Sequence, residues 1–378
     1  MSVIQLSRDE AASYLVGQAG LRAVVHPKGD AGIRALLLAR RCIQLDPIDP
    51  LGTNPDLVAA ARVDGISRGQ VFSALLPGYA FEHFAKERCL LPAAAFPYYR
   101  DQSVETPWWR LSERLKRIAP EILEAVEAEV AHRGPSTASD LEDHGRVAPL
   151  DWHGWKSTSK TTSMALRVLW TQCRLVVHSR VSKNTKRYSA PDVSIGDHAL
   201  GEPPADFASW ALLERIEAAG LLSRADGPQW SMLYQARKTL PDQLLAEGLI
   251  EEVRVDGSPR TYLAPLGFRD RTFPADDGRM RILGPLDPLI WDRKLIGNAF
   301  GFEYIWEVYK PAEKRRWGWY VVPLLHRGAL VGRLEGKVVD DTLVIANIWD
   351  EGQLDRHALG QTLRRHAEFL GVSDVAIS

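Results

Sequence analysis

Two side chains of complementary chemistry stand two positions apart early in the chain, the amide of Gln44 and the carboxylate of Asp46. A carboxylate can act as a general base, and an amide can orient a water molecule beside it. The segment from Cys42 to Ile48 alternates apolar and polar residues, which is strand periodicity and predicts that both side chains share one face. Several prolines follow and predict an extended loop. We therefore take Gln44 and Asp46 as the candidate catalytic residues.

The same three letters occur again as Gln353-Leu354-Asp355, so the tripeptide alone carries little information. The second copy precedes a helix predicted over 357–370, where a carboxylate favours the positive helix N-terminus, and we predict a capping role for it. In a competing interpretation, Gln44 and Asp46 are only a polar pair that fixes a loop.

Other signatures of catalytic or membrane function are missing from the sequence. It contains no nucleotide-binding GxxxxGK[ST] or GxGxxG, and no CxxC or HExxH zinc motif. The GxSxG string at 65–69 follows a predicted helix instead of a strand, which indicates a chance match. Three scattered cysteines and no long apolar stretch favour a reduced cytoplasmic protein. We expect no cofactor, no metal and no membrane association.

The elements that position the pair follow a recurring order. A predicted helix over 157–172, strands at 175–179 and 187–189 and a basic turn between them form the winged-helix order, which returns about 75 residues later. Two unrelated helix-hairpin segments are the alternative. We predict an α+β fold with tandem winged-helix units, divided into a helical or winged-helix-like region bearing the motif (1–105), a winged helix with a basic wing (106–200), a second winged helix (201–270) and a strand-rich domain with a basic hairpin (271–378).

The charge is distributed unevenly along the chain. Forty-seven basic and 48 acidic residues give a formal charge of −1, yet residues 156–187 hold eight basic residues and no acid. Such a surface suits a nucleic-acid backbone, because each neutralised phosphate releases counterions. The predicted DNA contacts of this segment are Lys156, Lys160, Arg180, Lys183, Lys186 and Arg187.

A second basic cluster interleaves aromatic residues with arginine at 314–320 and leads to a hairpin tip at 326–328. Aromatic rings beside arginines suit stacking on bases or wedging between them. In the alternative interpretation, the rings are core and the arginines are merely exposed. The predicted DNA contacts here are Lys314, Arg315, Arg316, Trp317, His326 and Arg327.

The chain resembles the YcaQ/AlkZ-type winged-helix DNA glycosylases, which include enzymes of interstrand crosslink repair, over nearly its whole length. The resemblance rests on the Gln-Leu-Asp motif at 44–46, FEHFAKERCLLP at 81–92, LGPLDPLIWDRK at 283–294, and EVYKPAEKRRWGWYVVPLLHRGALVGRLEGK at 307–337. It implies a tandem winged-helix scaffold that clasps duplex DNA. It also implies a monofunctional glycosylase that removes N7-alkylated guanine, in some members unhooking crosslinks, with 44–46 as the catalytic element.

This sequence departs from the family pattern in two places. After the motif it has Asp49-Pro50-Leu51-Gly52-Thr53-Asn54-Pro55, where members commonly have Asn and a basic residue. It also has Phe84 and Lys86 where members tend to have Trp and His. Catalysis should survive these changes, which bear on the shape of the lesion pocket.

The predicted mechanism is hydrolysis of an N-glycosidic bond through an oxocarbenium-like sugar cation. Asp46 would stabilise the cation and activate a water that Gln44 orients, and with no lysine attacking the sugar the DNA strand should stay unbroken. The expected partner is duplex DNA with alkylated or crosslinked guanine, bound by a monomer in the bacterial nucleoid. The rivals are a winged-helix DNA-binding regulator without activity and a bifunctional lyase or nuclease.

Three further positions carry lesser expectations. Glu82 either shapes the pocket or is a helix carboxylate paired with Lys86 or Arg88. Asp287 and the run 291–293 are expected to be structural, as a turn, a core indole and an ion pair. Because a bulky adduct would not fit a closed pocket, we expect the lesion to be handled at an open cleft and not by full base flipping.

Overall fold

The computed structural model describes residues 3–100, 118–148, 158–182, 184–225, 227–352 and 354–377. Its α-helices are α1 (Arg8–Gln18), α2 (Gly29–Arg40), α3 (Asn54–Ala60), α4 (Gln70–Leu75), α5 (Phe96–Arg100), α6 (Pro120–Arg133), α7 (Thr161–Thr171), α8 (Pro191–Ile195), α9 (Phe207–Ala219), α10 (Leu240–Ala246), α11 (Arg293–Phe300) and α12 (Arg356–Leu370). Its β-strands are β1 (Ile4–Leu6), β2 (Ile43–Gln44), β3 (Ala80–Phe84), β4 (Arg88–Pro92), β5 (Arg146–Val147), β6 (Ser159–Lys160), β7 (Val176–Arg180), β8 (Lys186–Ser189), β9 (Leu222–Ser223), β10 (Ile250–Val255), β11 (Thr261–Pro265), β12 (Arg281–Ile282), β13 (Val321–His326), β14 (Ala329–Val339), β15 (Thr342–Asp350) and β16 (Asp374–Ile377).

Helices and antiparallel strands occur together, so the predicted α+β class is confirmed. The residues group into two compact units. Unit 1 comprises Met1–Val71, Ala208–Gln229 and Gln235–Ser378, and unit 2 comprises Phe72–Phe207 and Trp230–Tyr234. The four-part division expected from the sequence stays a prediction about segments within these units.

The helix–strand–strand order expected from the sequence is present. It occurs as α7–β7–β8, where Val176 pairs with Ser189, and as α10–β10–β11, where Ile250 pairs with Pro265. The element order is therefore confirmed, and its assignment as a winged helix stays a prediction compatible with it.

The segment 81–92 is a β-hairpin, so the interpretation that placed Glu82 on a helix is wrong. Strands β3 and β4 pair antiparallel from Ala80 opposite Pro92 to Phe84 opposite Arg88. All five β3 residues are buried, so the strand lacks the alternation that would have marked it.

One sheet of unit 1 joins the first residues of the chain to its middle. Strand β1 pairs parallel with β10, which pairs antiparallel with β11, and β11 pairs with β9. Helix α1 begins with a capping box, in which Ser7 and Glu10 satisfy each other's backbone N–H groups. Its buried residues Ala11 and Leu15 pack in one core cluster with Val253 of β10.

The second sheet of unit 1 has the order β12-β13-β14-β15-β16, with β15 and β16 parallel. The apolar runs at 321–325, 330–338 and 343–348 predict strands close to β13, β14 and β15, and α12 lies close to the helix predicted over 357–370. Asp355 accepts a hydrogen bond from Ala358 N at 3.0 Å, so its capping role is confirmed. Leu51 and Leu57 share the core cluster between this sheet and α12, so the chain just after the Gln-Leu-Asp motif rests on this sheet.

Unit 2 contains α6, α7 and the hairpins β3–β4, β5–β6 and β7–β8. Trp170 of α7 donates its indole N–H to the carbonyl of Glu82 on β3 at 2.8 Å. Among the described residues, no helix is both long and apolar enough to cross a bilayer.

Candidate active site

The motif lies at the end of a very short strand. Only Ile43 and Gln44 form β2, so the prediction that a strand carries both Gln44 and Asp46 is wrong. Ile48 N donates to Asp46 Oδ1 at 2.9 Å, and Pro47 offers no N–H for continued strand pairing. Gln44 is buried, whereas Asp46 is half-buried. The carboxylate therefore sits in a turn whose own backbone holds one of its oxygens.

Asn54 fixes the backbone of the motif from the start of α3. Its side chain is fully buried, donates to the carbonyl of Gln44 at 2.8 Å and accepts from the N–H of Leu286 at 3.1 Å. One amide thus joins the motif strand to the segment 283–294. Sequence reasoning placed Asn54 only in the loop and missed this role. The signal for it is an asparagine at the first position of a capped helix within a proline-rich loop.

The loop that leaves Asp46 is braced from several sides. Arg68 Nε donates to Asp49 Oδ1 at 3.1 Å, and the N–H of Gly69 donates to Asp56 at 2.9 Å. The GxSxG segment therefore braces this loop between α3 and α4, as expected of a chance match in a helix–helix turn. Burial lowers the pKa of His366 to about 4, and the neutral ring donates from Nε2 to the Leu51 carbonyl at 2.8 Å.

Asp287 and the run 291–293 make structural contacts, as expected, although Trp291 is half-buried and not a core indole. Asp287 forms a bidentate ion pair with Arg62 at 2.7 and 2.8 Å, and both side chains are fully buried. Trp291 donates its indole N–H to the Leu286 carbonyl at 2.7 Å, and Asp292 caps α11. Removing either charge would leave the other buried and uncompensated, which is strongly destabilising.

Tyr320 is a buried residue of unit 1 that sequence reasoning left without a role. It is 1% exposed, and its hydroxyl has no hydrogen-bond partner among the residues described. Burial, and after it the negative charge of Asp46, raise the pKa of Tyr320 well above the ordinary value. The hydroxyl is therefore protonated. No sequence pattern distinguishes this tyrosine from the aromatic residues beside it.

Some of the predicted DNA contacts of unit 2 are exposed to solvent, and others bind a buried carboxylate. Lys160 is exposed, with Asp143 at 3.9 Å, and Arg187 is exposed. Lys156 and Lys183 lie outside the described residues. Arg180 and Lys186 instead form a buried cluster with Glu82.

Glu82 is fully buried and binds both of these basic side chains. Arg180 NH2 lies 2.6 Å from one carboxylate oxygen and Lys186 Nζ lies 2.7 Å from the other. The partners considered from the sequence, Lys86 and Arg88, were therefore wrong. Burial, partly offset by Glu82, lowers the pKa of Lys186 to about 8. These two side chains bind a buried carboxylate and do not belong to the exposed positive groups. Their assignment as phosphate contacts stays a prediction.

The second basic cluster is also partly internal. Trp317 is half-buried, and the guanidinium carbons of Arg333 and Arg316 lie 4.1 and 4.7 Å from the centre of its ring. His326 is 6% exposed and donates to the Gly278 carbonyl at 3.2 Å. Trp317 is thus neither a core residue nor fully exposed, His326 is buried, and the assignment of both as DNA contacts stays a prediction.

The remaining arginines and lysine of this cluster are more open. Lys314, Arg316 and Arg327 are exposed, although Arg316 pairs with Glu303 at 2.6 Å. Arg315 is half-buried and donates to the Lys310 carbonyl at 2.8 Å. Among the predicted contacts that the structure describes, the exposed positive groups are thus Lys160, Arg187, Lys314, Arg316 and Arg327.

A family model and a solved structure are similar to this chain. A family model described as DNA glycosylase AlkZ-like matches residues 38–369. The solved structure of the DNA glycosylase AlkZ from Streptomyces sahachiroi is similar, with a TM-score of 0.64 and 18% sequence identity over 99% of this chain and 100% of that chain. At 18% identity the structural match shows a similar fold and no more. The family match spans most of the chain and includes the Gln-Leu-Asp motif at 44–46. The chain belongs to the AlkZ-like family of DNA glycosylases.

Proposed function

We propose that this DNA glycosylase hydrolyses the N-glycosidic bond of N7-alkylated guanine in duplex DNA, including guanines joined in interstrand crosslinks. Asp46 is the catalytic carboxylate and Gln44 orients the attacking water. The observation that carries the proposal is the setting of Asp46. It is a half-buried carboxylate on a loop anchored by Asn54, Arg68 and His366. A carboxylate held in this way needs little reorganisation during the reaction.

The reaction needs little assistance at the leaving base, but it needs stabilisation of the positive charge on the sugar. Alkylation at N7 leaves the guanine cationic and already a good leaving group, so it departs without a strong general acid. The sugar develops positive charge at C1′, as in glycoside hydrolysis. A nearby carboxylate stabilises this charge and accepts a proton from water, and general-base help is worth about 10² to 10⁴ in rate.

The reaction is proposed to be monofunctional. Asp46 removes a proton from water, the water oxygen bonds to C1′, and the electron pair of the C1′–N9 bond leaves with the base. No amine attacks C1′, so no Schiff base forms and the product is an intact strand with an abasic site.

The proposed DNA contacts are the exposed groups Lys160, Arg187, Lys314, Arg316 and Arg327. Each phosphate that they neutralise would add about 0.9 to the slope of log affinity against log salt. We propose that a monomer binds the duplex and handles a bulky lesion at an open cleft in place of a closed pocket.

The first prediction concerns Asp46→Asn in single-turnover assays on a duplex with one N7-methylguanine. Abasic sites are cleaved chemically and the cut strand is measured. We expect the wild type to release the base and Asp46→Asn to be slower by at least about 10²-fold, because the amide cannot accept the proton of water. DNA affinity should change little.

The matched control is Asp355→Asn, which alters the second copy of the Gln-Leu-Asp string. Asparagine is also a good helix cap, so this variant should fold and keep the wild-type rate. Equal rates for Asp46→Asn and wild type would refute the proposed mechanism. A duplex crosslinked by a nitrogen mustard tests crosslink unhooking in the same assay.

The rival functions give different results. A DNA-binding regulator would retain the duplex but release no base. A bifunctional lyase would break the strand without chemical treatment and would form a covalent complex trapped by borohydride.

A further inference from the structure

The loop 310–320, which leads into β13, is held by a buried carboxylate. Glu307 is 2% exposed, and one of its oxygens accepts the backbone N–H groups of Arg316 at 2.9 Å and Trp317 at 2.8 Å. Its other oxygen lies 2.9 Å from Lys310 Nζ. Burial raises the pKa of Glu307, but these hydrogen bonds outweigh it and lower the pKa to about 2. The ionised carboxylate thus fixes the backbone at Arg316 and Trp317.

A second carboxylate holds the end of the same loop. Glu335 Oε1 accepts the N–H of Trp319 at 2.6 Å and that of Tyr320 at 3.4 Å. A methyl group at Gly318 would overlap the Glu335 carboxylate, so the close approach of the chain to Glu335 requires a glycine. Two acids of unit 1 therefore fix the backbone of a loop that carries three basic residues in a row, at 314–316.

The side chain of Arg316 is positioned as well as its backbone. Arg333 is 1% exposed and donates to Glu351 at 2.6 Å and to the carbonyl of Glu303 at 2.8 Å. The ring of Trp317 lies against Arg333, and the guanidinium of Arg316 lies against the same ring. Contacts between a cation and an aromatic ring favour one placement of the guanidinium. Arg316 is therefore ordered by the protein although it is exposed to solvent.

We propose that Glu307 is a positioning residue for DNA binding and that it acts through Arg316. This inference rests on the proposed function, in which Arg316 contacts a phosphate of the duplex. A long basic side chain loses conformational freedom when it binds a phosphate, and one on an ordered loop loses less and binds more tightly. The buried acid therefore strengthens the binding of a polyanion, although its own charge would repel it.

A second acid near Arg316 acts in the opposite direction. Glu303 is exposed and pairs with Arg316 at 2.6 Å. Its carboxylate competes with a phosphate for the guanidinium and repels the phosphate by its charge. Such an exposed ion pair contributes little to stability and exchanges easily. Glu303 and Glu307 carry the same charge four residues apart, yet we expect the first to weaken DNA binding and the second to strengthen it.

The test compares Glu307→Ala with Glu303→Ala, which remove the same charge. Binding of a fluorescently labelled duplex is measured by anisotropy over a range of salt concentrations, at a temperature where both variants are folded. For Glu307→Ala we expect an affinity lower by about fivefold or more and a salt slope smaller by about 1, because Arg316 loses its phosphate. For Glu303→Ala we expect an affinity higher by about twofold, because only repulsion is removed. An equal gain in both variants would overturn the inference.

A milder pair of variants covers the case in which Glu307→Ala does not fold. Glu307→Gln keeps one acceptor oxygen for the backbone of the loop, and it is compared with Glu303→Gln. The same opposite signs are expected, with a smaller loss of affinity for Glu307→Gln. A gain of affinity in Glu307→Gln as large as that in Glu303→Gln would again contradict the proposal.

A double-mutant cycle separates positioning from a general loss of packing. Arg316→Gln alone should lower the affinity, and adding Glu307→Ala to it should lower the affinity much less than Glu307→Ala does in the wild type. In single-turnover excision, the loss in Glu307→Ala should appear as a higher protein concentration at half-maximal rate, with little change in the maximal rate. A full additional loss in the double variant would show that Glu307 does not act through Arg316.

These outcomes differ from a failure of the proposed function. If the wild type releases no alkylated base, or if Asp46→Asn is as fast as wild type, the proposed catalysis fails whatever Glu307 does. If Arg316→Gln binds the duplex as tightly as the wild type, the proposed contact at Arg316 fails and this inference fails with it. If Arg316→Gln binds weakly but Glu307→Ala does not, only the inference about Glu307 is wrong.

Discussion

At Glu82 one buried carboxylate meets two basic side chains that the sequence assigns to a DNA-binding surface. Arg180 and Lys186 come from positions about a hundred residues later and are 13% and 12% exposed. The segment 156–187 contains eight basic residues and no acid in the sequence, but acidic side chains from other segments lie against it in the structure. In space, acids from elsewhere neutralise part of it, as Glu127 does for Arg174.

The prediction for this residue is that Glu82→Gln destabilises unit 2 strongly. The substitution keeps the shape of the side chain but leaves two buried cations without a counter-charge, which costs about 3–5 kcal/mol. Urea unfolding followed by tryptophan fluorescence measures the loss.

Glu127→Gln is the control, because Glu127 and Arg174 are about one third exposed and such a pair contributes less than about 1 kcal/mol. Equal losses for the two variants would mean that the burial of Glu82 does not matter to stability.

Single residues were predicted well where local context decides their role. Asp355 caps a helix because it immediately precedes one, and the structural role of Asp287 followed from a turn. The buried partners Arg180 and Lys186 of Glu82, and Leu286 of Asn54, come from distant parts of the chain. Pairings over such separations leave no mark in local spacing, so the sequence did not predict them.

At the scale of elements, the loop after Asp46 depends on the start of α3. Thr53 and Asp56 form a capping box, and Asn54 at the first position of the helix bonds the strand β2 and Leu286. A helix terminus thus anchors the backbone from which the candidate catalytic turn begins.

We predict that Asn54→Ala lowers both stability and excision rate. It breaks two buried hydrogen bonds and leaves a buried carbonyl and a buried N–H unsatisfied, at a cost of about 2–4 kcal/mol. The rate should fall about tenfold or more because the backbone of Gln44 loses its anchor. Urea unfolding and single-turnover excision are measured on the same preparation.

Asn298→Ala is the matched control, since Asn298 also donates to a backbone carbonyl, that of Asp256 at 2.9 Å, but in an exposed setting. This variant should lose less than about 1 kcal/mol and keep its rate. A fully active Asn54→Ala would show that the anchor is dispensable for catalysis.

The elements predicted best are those with a clear period. The strands β13, β14 and β15 and the helix α12 match the sequence prediction closely. The hairpin β3–β4 and the two-residue strand β2 did not, because a buried hairpin hides its alternation and a proline and an Asx turn stop the strand early.

At the scale of the whole molecule, each unit contains, among its described residues, a buried histidine that burial keeps neutral. Burial lowers the pKa of His83 in unit 2 and of His366 in unit 1 to about 4, from an ordinary value of 6.5. The unfolded chain then binds these protons more readily than the folded protein does. The stability from each histidine is complete above about pH 6.5 and is lost as the pH falls towards 4.

We therefore predict that both units weaken together in mild acid. At pH 5 each histidine should lower the free energy of unfolding by about 2 kcal/mol relative to pH 7.5. Urea unfolding at the two pH values measures this loss. His366→Gln keeps a donor for the Leu51 carbonyl and removes the titration, so unit 1 should lose less stability in acid. An unchanged pH dependence in this variant would contradict the prediction.

The overall charge and the family were predicted with different success. The resemblance to YcaQ/AlkZ-type glycosylases is confirmed over residues 38–369, because long idiosyncratic segments carry family information that a short motif lacks. The neutral total charge gave no hint of the acids that neutralise part of the basic segment, since those acids are distant in sequence.

The parallel pairing of β1 with β10 gives the chain an order of assembly during its synthesis. Residues 4–6 are made long before their partner strand, which ends at Val255, and the second sheet of unit 1 is complete only with β16. All residues of unit 2 have been made by Tyr234. Unit 2 can therefore fold while the apolar face of α1 is still uncovered. A nascent chain arrested before residue 250 would expose that face and should depend most on a chaperone.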